Sequence, residues 1–482
     1  MRASITILDE LSPADGWVFA AVLLATLGAV IWGNLRRRHL PVVEGADLLD
    51  LLLMGRRLTL PLFTATLVAT WYGGILPVTE YAFEYGLYSW VTQGAFWYAA
   101  YIIFAFCLVA GIRRTEARTM PELLSGLFGP RSGTLGAWFN LFNVLPVIYV
   151  LSLGKFLQMM FGGDLFLWMC AGTAVVVAYS TIGGLRSVVY SDVVQFVVMC
   201  AAVVLVIVFS VHRFGGIAWL RASELIPAAH WKPLGEGIPL GSTFVWGLVA
   251  LGTLVDPNFY QRCLAAKDAR TARRGILTAT LIWFAFDFCT TFGAFYARAA
   301  IPGADKSTAY LVYGVQLLPS GLRGFFLAGV LATILSTLDS YLFLSGTVAA
   351  YDLAPRRWKG SVAFHHVGTI LMAVIAVFVT RFFLDRNMVD IWKFFGGLGT
   401  ACLLAPMMIG QIFPRRISDR VFVTASLAGA AAMLLFVSLQ SRLPAFWKAM
   451  EPFYLGLTLS LLVCLSGLRK PQPPPLPKHG NL

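Results

Sequence analysis

Leu331 to Gly346 reads "LATILSTLDSYLFLSG". The stretch lies inside an apolar run, 323–351, long enough to cross a hydrocarbon core ~30 Å thick. Yet Thr333, Ser336, Thr337, Asp339 and Ser340 crowd its middle. Polar groups at that depth cost free energy unless a partner helix, water or a bound ion meets them. At ~1.5 Å of rise per helical residue, Ser336 lies ~17 Å in from the external end near Phe325, close to the midplane.

The rest of the chain repeats the apolar pattern. Its 482 residues are 58% hydrophobic and 13% charged, with a mean hydropathy of +0.75; a soluble chain carries roughly 25% charged residues. Runs of about 20 apolar residues fall at 16–35, 60–83, 88–111, 135–161, 164–182, 187–212, 241–261, 273–298, 323–351, 363–383, 389–413, 421–440 and 450–467. The expected fold is an all-α polytopic membrane protein with about thirteen transmembrane helices. The first run follows the acidic "ILDELSPADGW" and precedes "RRRH", so it reads as a retained anchor rather than a signal peptide.

Positive charge orients these spans. Of the 37 Lys and Arg residues, 24 fall in cytoplasmic segments if the N-terminus is outside. These include "QRCLAAKDARTARR", with Arg262, and the C-terminal tail. Eleven are external, and Lys155 and Lys393 lie within spans. The bias follows the positive-inside rule through every alternation. It predicts a multi-pass protein of the cell (plasma or inner) membrane, N-terminus outside and C-terminus cytoplasmic. It also accounts for the net charge of +13 without a nucleic-acid partner; the lipid bilayer is the expected one. The seven cysteines and six histidines are scattered, with neither a disulfide framework nor metal-ligand spacing.

No loop is long enough for an independent domain. The longest, 213–240, is expected outside with a short surface helix, and the tail "PQPPPLPK" favours polyproline II. Two spans are interrupted: "TATLVATWYGGILPV" by Gly73, Gly74 and Pro77, and "GSTFVWGLVALGTLVDPNF" by Gly247 and Gly252. Interrupted helices at corresponding places in two halves point to an inverted-repeat transporter with a midplane site, although glycine also serves close helix packing. The implied division is 1–58 (external segment, first span and cytoplasmic loop), 59–212 (first repeat), 213–240 (external loop), 241–413 (second repeat), 414–467 (two last spans) and 468–482 (tail).

Ser336 and Thr337 offer hydroxyl oxygens, Thr333 a carbonyl, and the broken second span carbonyls around Ala69 and Tyr72. Such uncharged oxygens suit a monovalent cation. The alternative is that the hydroxyls bond back to their own helix.

A second stretch bears on that choice. In "AYSTIGGLRSVVYSDVVQFVVMC", Gly183, Gly184 and Leu185 lead into a helix carrying Asp192 and Gln195. "DPNFYQRCLAAKDARTARR" holds Pro257, Gln261, Arg262, Ala265, Ala266 and Lys267. With "LSTLDS" these segments resemble, in order, the motifs of the sodium/solute symporter family. The resemblance implies a LeuT-like fold: ten core helices in two inverted repeats of five, with one helix before and two after. It implies sodium as coupling ion, no other cofactor, and ligands from the carbonyls of Ala69, Tyr72 and Thr333 and the hydroxyls of Ser336 and Thr337. Some members hold a second sodium near the position of Asp192. An in-span carboxylate costs roughly 2.5–3.5 kcal/mol on insertion scales, so Asp192 needs a role or a partner such as Arg186. Asp339 has a similar standing; Asp287 and Asp390 lie in spans with no motif to assign them.

The solute site is expected beside the break, with Thr70, Trp71, Gly73, Gly74 and the facing Trp246 as candidates. Lys155, ~9 Å deep by helical rise, either snorkels to the interface or draws an anionic solute. Half-helix N-termini favour anions too. The expected activity is therefore sodium-coupled import of a small organic solute by alternating access, with a carboxylate-bearing amino or organic acid ahead of a sugar, polyol or vitamin, and a monomer as the functional unit. A membrane-embedded enzyme needs a nucleophile–base pair or metal cluster that the spans do not display. A continuous channel does not call for paired half-helices around a midplane cation site.

Overall fold

The computed structural model describes residues 7–37, 46–181, 183–355, 357–386, 388–414, 416–444, 447 and 450–468. The polyproline tail and the "RRRH" flank's last residues lie outside this set. Ten helices among the described residues are long and apolar enough to cross a membrane. Leu60–Trp71 and Ile75–Tyr85, a pair bent by 62° at their break, bring the number to eleven when counted together as one span. Two further apolar helices, Leu165–Ser180 and Pro452–Ser466, are shorter.

The helix Leu322–Thr347 holds the opening stretch and is almost wholly buried. It packs against Gly184–Phe214, Pro13–Arg37, Val362–Arg381 and the half-helix Leu60–Trp71. A helix enclosed on all sides shows little amphipathic pattern, which is why its polar residues stand out in sequence.

The bend after Trp71 has a steric cause. A Cβ placed on Gly73 would lie 2.5 Å from both Cβ and Oγ1 of Thr337. Only a residue without a side chain lets the chain cross the Leu322–Thr347 helix at this height. Gly73 was a solute candidate in the sequence; its face is instead occupied by Thr337.

The seventh span is interrupted differently from expectation. Leu240–Ala250 runs straight past Gly247, whose missing Cβ would meet only ordinary contacts. The chain then tightens into a 3-10 turn over Leu251–Val255 and restarts as Pro257–Ala265. Asp256 caps the restart by accepting from the N–H groups of Asn258 (2.8 Å) and Phe259 (3.3 Å), and Pro257 supplies the fixed φ of a first helical turn. The stop signal was Asp256–Pro257. Gly252 does need to be glycine, since a Cβ there would sit 2.4 Å from Thr400 Oγ1.

The fourth span, read as continuous over 135–161, is also divided. Pro130–Asn143 ends three residues before a second helix, Val147–Phe161. Pro146 lacks the N–H that an uninterrupted helix would use. In the 213–240 loop the expected short helix is present at Ile217–Ala222. His230 fastens the loop by hydrogen-bonding the Phe83 carbonyl at 3.2 Å. Burial pushes its imidazole below the ordinary value, toward the neutral form.

Gly73→Ala should therefore force Thr337 and the two helices apart, costing roughly 1–3 kcal/mol by overpacking. Thermal unfolding of the purified variant measures this, with Gly111→Ala, where added atoms meet nothing within 4 Å, as the control expected to unfold like the parent.

Candidate functional site

Ala69 belongs to the last turn of Leu60–Trp71, where helix carbonyls lose their intrahelical partners. Its carbonyl is reached by Ser336 Oγ at 2.8 Å, across the interface between the two helices. The same hydroxyl lies 2.8 Å from the Ala332 carbonyl and 3.1 Å from that of Thr333, and Thr337 Oγ1 lies 3.1 Å from the Thr333 carbonyl. Ser336 and Thr337 have one hydroxyl proton each, so this group of oxygens has more lone pairs than protons. That surplus is what a hard monovalent cation uses. Thr333 turns its own hydroxyl to the Val330 carbonyl at 2.7 Å and presents only its backbone oxygen. Tyr72 is the capping residue of the half-helix; its side chain points elsewhere, to Asp287 and Thr290.

The hydroxyls do bond back to their own helix. What a back-bonded serine alone does not explain is the reach to Ala69. All these side chains are buried.

One turn along the same crossing, a charged network is enclosed completely. Thr66 donates to Asp192 Oδ2 at 2.5 Å. Arg262 Nη2 stands 3.9 Å from the same oxygen and donates to Thr70 Oγ1 and Ser340 Oγ at 2.8 Å each. Its Nη1 donates to Asn258 Oδ1 at 3.0 Å and Gln261 Oε1 at 3.1 Å. Asp339 Oδ2 accepts from Tyr179 at 3.4 Å. Asp192 Oδ1, Asp339 Oδ1 and both amide atoms of Gln195 are buried with no protein partner. With both carboxylates ionised, the single guanidinium leaves one formal negative charge.

Three sequence expectations change here. Arg262, counted with a cytoplasmic loop, sits in the protein interior because Pro257–Ala265 folds inward. Arg186 does not serve Asp192; it pairs with Asp50 at 2.5 Å. Thr70 is spent on Arg262 and Ser340 and is not free to bind a solute.

Beside the break lie two adjoining cavity lobes, of about 80 and 30 Å³. Trp71, Trp97 and Trp392 line both. Asn143, Tyr149, Thr253, Asp256, Tyr341 and Thr400 line the larger; Tyr72, Gly74, Gln93, Tyr101, Trp283 and Asp287 the smaller. Trp71 and Gly74 are thus where the sequence put them. Trp246 lines neither lobe: it lies behind Trp97, its ring tilted at 47° with 6.2 Å between centres, and carries Lys393 over its face at 4.7 Å. Lys393, a cation within a span, also pairs with Glu451 at 3.0 Å. Lys155 lines neither lobe either. The residues that sequence reasoning passed over came from other spans, and among them the in-span carboxylates Asp256 and Asp287 carried the signal.

A family profile and known relatives identify the family of the chain. Residues 52–429 match the sodium:solute symporter family, and the chain belongs to that family. It is 25% identical over 431 residues to the sodium/pantothenate symporter of Escherichia coli (strain K12), covering 84% of this chain and 86% of that one. It is equally 25% identical over 396 residues to the osmoregulated proline transporter OpuE of Bacillus subtilis (strain 168), covering 78% and 79%. In fold it is similar to a Na⁺-coupled sialic acid symporter solved in a substrate-bound outward-open state, with a TM-score of 0.73, 15% identity, and 95% and 98% of the two chains covered. Mhp1, a nucleobase-cation-symport-1 family transporter in a closed conformation, superposes with a TM-score of 0.57 and 15% identity over 84% and 91%. The fold is LeuT-like, and the chain is a sodium-coupled secondary active transporter of a small organic solute, not an enzyme.

Arg262→Gln should expose the cost of the buried pair, about 3–5 kcal/mol, because it leaves carboxylates uncompensated. Adding Asp192→Asn should return most of that loss, a coupling that a double-mutant cycle on unfolding free energies reads directly. Simple additivity of the two losses would assign Arg262 to packing rather than charge.

Proposed function

We propose that the chain imports a small carboxylate-bearing solute, an amino acid or other organic acid, across the plasma or inner membrane by alternating access. The coupling sodium is held by the carbonyls of Ala69, Tyr72 and Thr333 and the hydroxyls of Ser336 and Thr337. The observation that carries this is the contact of Ser336 Oγ with the Ala69 carbonyl. It joins a half-helix that ends at the break to a helix packed into the core, so an ion bound there favours one arrangement of the two.

A second cation position at Asp192 and Asp339 is supported by their unpartnered Oδ1 atoms and by the charge left over beside Arg262. The carboxylate on the solute is supported by the relatives named for pantothenate and proline. The half-helix Ile75–Tyr85 also starts at Gly74 with no side chain capping it, and Gly74 lines the cavity. Lys155 has no part in this reading.

Counting Leu165–Ser180 and Pro452–Ser466 as crossings gives thirteen spans. The interrupted second and seventh spans are then five apart, as an inverted pair of five-helix repeats over 59–212 and 241–413 requires. One span precedes the repeats and two follow. The charge bias then sets the N-terminus outside and the C-terminus inside, with the monomer as the working unit.

Replacing Ser336 and Thr337 together by alanine tests the ion site. Sodium-dependent uptake should be lost, or its half-maximal sodium concentration raised at least tenfold, in a protein that still purifies as a folded monodisperse species. An unchanged sodium requirement would falsify the assignment. Topology is read independently: a cysteine introduced at Glu236 should be labelled by an impermeant maleimide from outside intact cells, and one at Lys267 only after permeabilisation.

A further inference from the structure

Asp287 is buried in the helix Ala269–Ala300, at 7% exposure, and what exposure it has faces the smaller lobe. Tyr72 donates its hydroxyl to one carboxylate oxygen and Tyr98 to the other. Two phenol donors hold the group as an acceptor and fix its direction. Of the other in-span carboxylates, Asp256 caps a helix start, while Asp192 has Arg262 and Glu80 has Lys306 as a nearby cation, at 3.9 Å each. Asp287 has none among the described residues, and no described Lys or Arg lines either lobe. A buried charge without a partner is expensive, so its counter-charge is expected to arrive with the cargo.

The surroundings match one chemistry. Trp71, Trp97, Tyr101, Trp283 and Trp392 line the lobe with Asp287, and their rings meet one another at 4.5 Å (Tyr101–Trp283) to 6.4 Å (Trp71–Trp283) between centres. Indole and phenol faces carry negative potential and attract cations within about 6 Å, a quaternary or protonated nitrogen above all. Gln93, with both amide atoms lacking a protein partner, and Trp283, with its Nε1 equally free, face the same space. A lobe of about 30 Å³ seats only a small group.

We propose that Asp287 and the aromatic rings around it form a subsite for a positively charged nitrogen, so that the imported solute is a zwitterion carrying an ammonium group close to its carboxylate. This rests on the reading that the cavity binds the co-transported solute. It narrows the organic-acid class to amino acids and betaines and sets aside nitrogen-free acids, sugars and polyols.

The test uses purified full-length protein and matched pairs of probes with and without the charged nitrogen. Proline is set against cyclopentanecarboxylate, glycine betaine against 3,3-dimethylbutyrate, and 4-aminobutyrate against pentanoate. Binding is read by quenching of tryptophan fluorescence and by thermal shift, each in sodium and in potassium. In sodium, the nitrogen-bearing member of at least one pair should bind tenfold or more tightly than its carbon counterpart. Asp287→Asn should shrink that preference to about twofold or less, Asp287→Glu should keep part of it, and sodium alone should stabilise both variants as it does the parent. The parental comparison needs no variant and decides the matter even if Asp287→Asn does not fold. Equal binding within every pair, binding by no nitrogen-bearing probe, or a preference that survives Asp287→Asn would each overturn the subsite. Binding equally strong in potassium would instead count against sodium coupling at this site and leave the charge preference readable.

Discussion

The approach of the chain at Gly73 to Thr337 governs the rest of the molecule. Two helices normally stand 8–10 Å apart, set by the side chains between them. Here a residue with no side chain sits on a threonine, and one residue of Cβ would be enough to push them apart. That closeness ends the half-helix Leu60–Trp71, frees its last carbonyls, and brings Ala69 to Ser336. The cluster of oxygens around Ser336, the uncapped start of Ile75–Tyr85 and the cavity wall at Gly74 follow from the same bend. Backbone that has left its helical pattern is tolerated at membrane depth only where protein or a polar cavity receives it, and the opposing helix supplies that reception through hydroxyls.

The Asp192–Arg262–Asp339 group puts strong electrostatics one turn from the same crossing. Its members come from three separate elements: Gly184–Phe214, Pro257–Ala265 and Leu322–Thr347. Thr66 and Thr70 connect them to the broken helix. A charge in a low-dielectric interior acts over a long range, so a movement of Pro257–Ala265, which carries Arg262, is felt by the half-helix through Thr66 and Thr70. That is a physical route by which the second interrupted span communicates with the first.

The cavity itself has a different character. It is walled by indole and phenol rings, and its charged groups are carboxylates. One of them, Asp256, is committed to capping a helix and so cancels the anion-attracting end of the seventh span's second half. The other, Asp287, is directed by two tyrosines into the space beside the break.

The sequence by itself was enough for the class of architecture, because hydropathy is a local property: a run of about 20 apolar residues has few stable choices besides a spanning helix. The motif residues around Asp192, Gln261 and Ser336 carried the family for the same reason, being contiguous in the chain. Gly73 and Ser336 were both legible as unusual. That Gly73 abuts Thr337, where a Cβ on the glycine would come within 2.5 Å, while Ser336 reaches the Ala69 carbonyl at 2.8 Å, depended on packing. Arg262 shows the limit most clearly. Its neighbours in sequence are the basic residues of a loop, yet Asp256–Pro257 turns its helix inward and makes it the counter-charge of Asp192, 70 residues earlier. The cavity was legible in sequence only at Trp71 and Gly74, beside the break: Trp71, Trp97, Trp283 and Trp392 look alike as apolar residues of four different spans. Which of them face one another is decided by helix rotation and crossing, and hydrophobicity, being non-directional, does not encode either.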